Sequence, residues 1–209
     1  MKLASAMVSC PERAETRERT LANLAATDWT DGVALAIDEG SGADRIARID
    51  ATWRRALALA AESDADVTLL MEDDLDFNRH LRANILQWSK LAGVDAITPF
   101  FASLYNPGYR VQHSHREGRF RVLDPRCCWG AQALLVSRVL ARYFLGHWSE
   151  GDGPPDLRMP RLAGRFVRIF CHQPSLVQHV GQASTWGGFT HQAVDFERDW
   201  SAAATAQSP

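Results

Sequence analysis

An α/β fold with a mostly parallel central sheet and helices on both faces follows from three features of the sequence. Apolar runs of strand length alternate with amphipathic stretches of helical period through the first hundred residues. The third run, Val67–Met71, reads as a continuous apolar segment, which suits a strand covered on both faces. Finally, 209 residues with 46% hydrophobic and 23% charged side chains suit one globular domain, undivided by any repeat or linker.

Residues 3–10 are small and apolar and are closed by Pro11, a first strand. Residues 16–26 carry Leu21 and Leu24 on one face and Glu and Arg on the other, a first helix. Val33–Ile37 is a second strand, stopped by Asp38-Glu39-Gly40 and the Ser41-Gly42 loop. Ile49, Trp53, Leu57 and Ala60 step by three and four, so 48–62 is helical. After the third strand, Leu81, Ile85, Trp88 and Leu91 mark a third helix, and 96–98 a further strand before Pro99. The second hundred residues are less regular, and 100–120 reads as a long functional loop or hairpin. Ser137 is placed to cap a helix holding Val139, Leu140, Tyr143 and Phe144, which Gly146 ends. A Gly/Pro loop over 150–155, a short helix to Gly164, and strands around 167–170 and 176–180 follow. The expected organisation is a single domain over 1–200 with a flexible tail at 201–209.

Several classes are disfavoured. A net charge of −2 gives no whole-chain grip on nucleic acid or anionic lipid, although it permits a local basic groove. Cys10, Cys127, Cys128 and Cys171 fall in no zinc spacing and read as reduced thiols of a cytosolic protein. No stretch approaches the roughly 18 apolar residues of a membrane span. Pro11, Glu12 and Arg13 break the opening run too early for a signal peptide, so the expectation is a soluble, cytoplasmic protein. Neither GxxxxGK[ST] nor GxGxxG occurs, which disfavours P-loop enzymes and Rossmann dehydrogenases.

The informative stretch is VTLLMEDDLDF, where Glu72, Asp73, Asp74 and Asp76 follow the third strand directly. Like charges this close repel unless a cation sits among them. Mg²⁺ or Mn²⁺ would relieve the repulsion, using one or two carboxylates and completing its shell with water and substrate phosphate. An acidic loop capping the next helix is the plainer alternative. Position at the carboxyl end of a strand favours a site. A metal-held diphosphate is the logic of nucleotide-sugar transferases, where the metal draws charge from the departing nucleoside diphosphate.

With these residues in view, the chain resembles the GT-A glycosyltransferases, and among them the inverting N-acetylglucosaminyltransferases whose metal motif reads EDD. VSCPER (8–13) resembles the family's first strand and turn, implying donor contacts from Ser9, Pro11 and Arg13. AIDEG (36–40) resembles the end of its second strand, implying that Asp38 meets the uracil ring. WRRALALA before LLMEDDLDF resembles the family's helix, strand and metal turn. That likeness implies donor contacts from Arg54, Glu72 and Asp73, and metal contacts from Asp74 and Asp76. PPDLRMPRLAGR (154–165) resembles the segment whose Asp is the catalytic base, here Asp156, with Asp152 the second candidate and Glu150 weighed beside them. PSLVQHVG resembles segments that supply a late His ligand, here His179, and an imidazole favours Mn²⁺ over Mg²⁺. CCWGAQALLVSR resembles the strand beneath the donor sugar, making Gly130 a floor residue; a glycine at a strand bend is an equal reading.

Trp129, Trp148 and Trp186 could stack on sugar rings, but core packing is the commoner use of such residues. His113 and His115, with Arg110, Arg116, Arg119 and Arg121, form a basic stretch suited to an anionic acceptor or the donor diphosphate, or simply to solvent. The expectation is a metal-dependent inverting transferase with a UDP-sugar donor. Its acceptor hydroxyl is left open among glycan, protein, lipid-linked sugar and modified nucleic-acid base. A nucleotidyltransferase, a nucleotide-sugar hydrolase and a non-catalytic nucleotide-binding domain are the alternatives.

Overall fold

The computed structural model describes residues 1–40, 44–112, 114–128, 130–181 and 192–205. The Ser41-Gly42 loop, His113, Trp129 and Trp186 lie outside them. Strands β1 (Leu3–Ser9), β2 (Val33–Ile37) and β3 (Val67–Met71) alternate with helices α1 (Ala14–Ala25) and α2 (Arg45–Glu62), as the periodicity predicts. The short β4 (Leu75–Phe77) leads to α3 (Leu81–Leu86), β5 (Phe101–Ser103), α4 (Gly108–Gln112) and the hairpin β6 (Ser114–Arg116) with β7 (Phe120–Leu123). Then come β8 (Ala133–Ser137), α5 (Arg138–His147), α6 (Pro155–Ala163), β9 (Ile169–His172), β10 (Val177–His179) and α7 (Ala202–Thr205).

The main sheet has the order β2-β1-β3-β8-β5-β9-β7-β6, while β4 and β10 form a second, two-stranded sheet. Pairing is parallel for β1–β2, β1–β3 and β5–β9; β8 and β7 run against their neighbours and the other six strands share one direction. Alternation along each strand feeds two cores. On β1, Leu3 and Met7 join Leu24 of α1 and Leu81 and Ile85 of α3, whereas Ala6 and Val8 join Trp53, Ala56 and Leu57 of α2. The small residues of β1 thus let α2 lie close to the sheet.

Three local features depart from the sequence expectations. The strand expected at 96–98 is a turn, because the Asp95 carboxylate accepts the amides of Ile97 (3.1 Å) and Thr98 (2.9 Å) and the Thr98 hydroxyl (2.6 Å). Pairing begins instead at Phe101. The third helix stops at Leu86, since Trp88 is extended and a separate 3-10 turn, Ser89–Leu91, follows. Ser137 precedes α5 but does not cap it with its side chain; its hydroxyl accepts the Phe100 amide at 2.9 Å. All four cysteines are free thiols. Among the described residues no helix is long and apolar enough to cross a membrane.

Candidate active site

The carboxyl ends of β1, β2 and β3 open onto one corner, and the antiparallel β8 begins there. The Glu72 amide donates to the Gln132 carbonyl at 3.0 Å, which sets the residues before β8 beside the acidic turn. β10 pairs with β4 so that His179 lies opposite Leu75, and the Val180 amide donates to the Asp74 carbonyl at 2.9 Å. This small sheet carries an imidazole from late in the chain to the turn after β3. Ligand atoms of Glu72, Asp74 and His179 all lie within 4.8 Å of one another. His179 Nε2 stands 3.2 Å from Asp74 Oδ2. The turn is pinned by Thr20 of α1, whose hydroxyl donates to the Asp73 carbonyl (2.7 Å) and accepts the Leu75 amide (3.1 Å).

Arg13, just past β1, bridges two carboxylates: Nε donates to Asp73 Oδ1 at 2.7 Å and an Nη to Asp74 Oδ2 at 2.6 Å. The Ser9 hydroxyl donates to Asp73 Oδ2 at 2.5 Å, and Arg17 reaches Ser9 Oγ at 3.2 Å and the Cys10 carbonyl at 3.3 Å. Burial raises the Asp73 carboxyl above its usual range despite the Ser9 and Arg13 bonds. Burial also opposes the Asp74 carboxylate, yet the hydrogen bond from His179 and the charge of Arg13 outweigh it and hold Asp74 low. Glu72 keeps part of its side chain in solvent, but desolvation of its carboxyl, with the Asp74 charge beside it, pushes it up to about 8. A group so raised is one for which added positive charge is strongly favourable.

The donor set suits a divalent cation. Asp74 Oδ1 is buried without a hydrogen-bond partner among the described residues, an arrangement that normally costs stability. Gly181 leaves the adjoining space open: a Cβ there would stand 2.4 Å from Asp74 Oδ2 and 2.9 Å from His179 Nε2. Two carboxylates and one imidazole match Mn²⁺ better than Mg²⁺.

At the end of β2, Asp38 is held by Arg48 at 2.7 Å and accepts the Gly40 amide at 2.9 Å, and the Arg48 bond lowers its carboxyl below the usual range. Arg54 is exposed on α2, while its neighbour Arg55 turns to the sheet and donates to the Ile37 carbonyl. Pro11 is exposed in the 3-10 turn Pro11–Arg13.

On the opposite side, Asp156 in the first turn of α6 accepts the Gly130 amide at 3.1 Å, and its charge is felt at Glu72. Asp152 is exposed, and its backbone carbonyl accepts from Arg161 at 3.3 Å. Glu150 pairs with Arg165 at 2.6 Å. Asp76 is not brought to the cluster; it is bound by Arg198 and accepts the Phe77 amide at 2.9 Å. Trp148 is buried and donates to Asp50 at 2.8 Å, so it belongs to the core between α2 and α6. The basic stretch divides. Arg116 and Arg119 are exposed, Arg121 donates to Ser114 Oγ at 3.1 Å, and His115 meets Glu117 at 2.7 Å. Arg110 is only 1% exposed, because α4 turns it into the core. Thr20, Arg17, Arg48, Arg55 and Gly181 are members of the site that the sequence reading passed over. A threonine on the inner face of an amphipathic helix was the visible signal for Thr20; the others needed the fold.

A central, mostly parallel sheet with helices on both faces is the GT-A glycosyltransferase fold, and the likeness to solved structures shows that fold for this chain. No protein-family model matches it, and no curated protein is found similar to it. Solved structures carry the likeness. The glycosyltransferase GlyE of Streptococcus pneumoniae TIGR4 superposes with a TM-score of 0.52 and 9% identity, over 93% of this chain and 58% of that one. A197 from STIV superposes with a TM-score of 0.53 and 11% identity, over 97% of this chain and 100% of that one.

Proposed function

We propose that this protein is a glycosyltransferase that moves a sugar from a nucleotide-sugar, in particular a UDP-sugar, to an acceptor hydroxyl with inversion, as the likeness to EDD-type N-acetylglucosaminyltransferases implies. The observation that carries the reading is the gathering of Glu72, Asp74 and His179 within 4.8 Å at the carboxyl end of β3. A divalent cation, Mn²⁺ before Mg²⁺, held by these three residues would draw negative charge from the departing nucleoside diphosphate. Arg13 and Arg17 offer guanidinium donors to the diphosphate, and Ser9 and Asp73 orient Arg13. Asp38, fixed by Arg48, presents an acceptor to the base at the end of β2. Residues 1–99 serve the donor and 100–200 the acceptor, apart from His179, which reaches back to the cation.

Asp156 takes the proton of the acceptor hydroxyl as that oxygen attacks the anomeric carbon, and the carbon–oxygen bond to the diphosphate breaks on the opposite face. Asp156 is preferred to Asp152 because its carboxylate is tied to Gly130 and its field reaches Glu72, whereas Asp152 faces solvent. Catalysis then rests on orientation, one base and relief of charge on the leaving group.

A thermal-shift panel of nucleotide sugars with and without Mn²⁺, followed by product analysis, tests the reading. Metal-dependent donor binding and release of UDP are expected. Asp74→Ala should abolish both, while Asp156→Asn should keep donor binding and cut transfer about 10³-fold, to a measurable residual rate. Donor binding indifferent to metal, or UMP as the product, would overturn it.

A further inference from the structure

Arg110 is, among the described residues, one of the largest fully buried side chains. Taking a guanidinium out of water is costly unless its donors are met, and here oxygens meet them. The guanidinium donates to the Ser103 hydroxyl at the end of β5, to the Tyr105 carbonyl at 2.8 Å and to the Gly130 carbonyl. Gly130 has φ +87, in the left-handed region that glycine tolerates, and a Cβ there would stand 2.5 Å from Gln132 Oε1. Its carbonyl is thus pinned by Arg110 while its amide donates to Asp156 Oδ2 at 3.1 Å. The buried Cys128 thiol beside this peptide feels both charges, Asp156 raising it and Arg110 opposing, after burial as the main cause.

We propose that Arg110 is a positioning residue, which anchors Gly130 through its carbonyl so that the N–H on the other side of the same Cα is held toward Asp156 and aims its carboxylate at the acceptor hydroxyl. The inference rests on the reading of Asp156 as the base. It assigns the buried cation to the reaction rather than to the core alone. A lysine keeps the charge but cannot span Ser103, Tyr105 and Gly130 together, so Arg110→Lys frees the peptide without removing the positive group.

Steady-state kinetics with the saturating donor that the panel identifies provide the test. Arg110→Lys should lower kcat about tenfold or more and leave donor KM within about twofold, as misaiming a base does. Ser103→Ala removes another of Arg110's acceptors without touching Gly130; it should lower the melting temperature yet leave kcat within about twofold. In an Asp156→Asn background, Arg110→Lys should cost nothing further, because the group it positions is already gone. Should Arg110→Lys not fold, Gly130→Ala carries the same comparison, with a fall in kcat in the parent and none in Asp156→Asn. Normal kcat in Arg110→Lys, or an equal loss in both backgrounds, would overturn the positioning role while leaving the base assignment standing. Normal turnover in Asp156→Asn itself would remove the base assignment, and this inference with it.

Discussion

Arg13 holds one oxygen of Asp73 and one of Asp74, so it competes with any cation for the same negative charge. Arg13→Gln should therefore tighten Mn²⁺ binding in the absence of donor and weaken binding of UDP in its presence, each by about tenfold. Calorimetric titration of metal and nucleotide separately would reveal the opposite signs; weakening of both would show that Arg13 only braces the turn. Glu72 adds a pH dependence. Its carboxyl, pushed up to about 8, carries a proton at neutral pH that a bound cation must displace. Mn²⁺ affinity should accordingly rise with pH up to about 8 and level off above it, by at most about tenfold per pH unit. A flat profile in a Glu72→Gln variant checks the assignment. The acidic turn was legible in the sequence because four carboxylates within five residues are conspicuous. Which of them converge was not, since the β4 register aims Asp76 at Arg198 and draws Asp74 to His179. Arg54 and Arg55 pose the same difficulty: neighbours on a helix point about 100° apart, and only the packing of α2 decides which one reaches the strand end.

The first three strands were readable for a plain reason. Each is an apolar run of strand length, and β1 and β3 are buried on both faces, so hydrophobic period and length report them directly. Among the later elements α5, α6, β9 and β10 were legible too, whereas the strand expected at 96–98 gave way to a turn because the Asp95 side chain captured the backbone first. The three-residue β4 was invisible for another reason: its partner β10 lies far along the chain, and nothing local announces it. Between helices, Asp50 of α2 is the main polar tie. It accepts the Trp148 indole N–H and an Arg158 Nη, both at 2.8 Å, and so joins α2 to α6. Asp50→Ala leaves the buried indole N–H without its acceptor, which should cost about 1–3 kcal/mol. Urea unfolding would measure it, and a loss under a few tenths would mean that water takes the carboxylate's place. Asp50 lies away from the acidic corner, so metal binding should be retained.

At the scale of the whole molecule, the two cores meet across one sheet, and His172 sits at its far side between the rings of Trp88 and Trp200 (centroids at 5.0 and 5.5 Å). Burial pushes His172 down to about 4 from an ordinary value of 6.5. The folded chain therefore keeps this ring neutral over a range in which the unfolded chain takes up a proton. Stability is complete above pH 6.5 and is lost as pH falls toward 4, by a total of about 3 kcal/mol. Chemical unfolding between these limits should show that slope, and His172→Gln should flatten it. The order of synthesis matters as well. The acidic turn leaves the ribosome long before the strand bearing His179, so until then Arg13, with the Ser9 hydroxyl beside it, is what offsets Asp73 and Asp74. Until β10 docks, that guanidinium is a placeholder, and a polypeptide halted ahead of β10 would lack the imidazole of the candidate metal site.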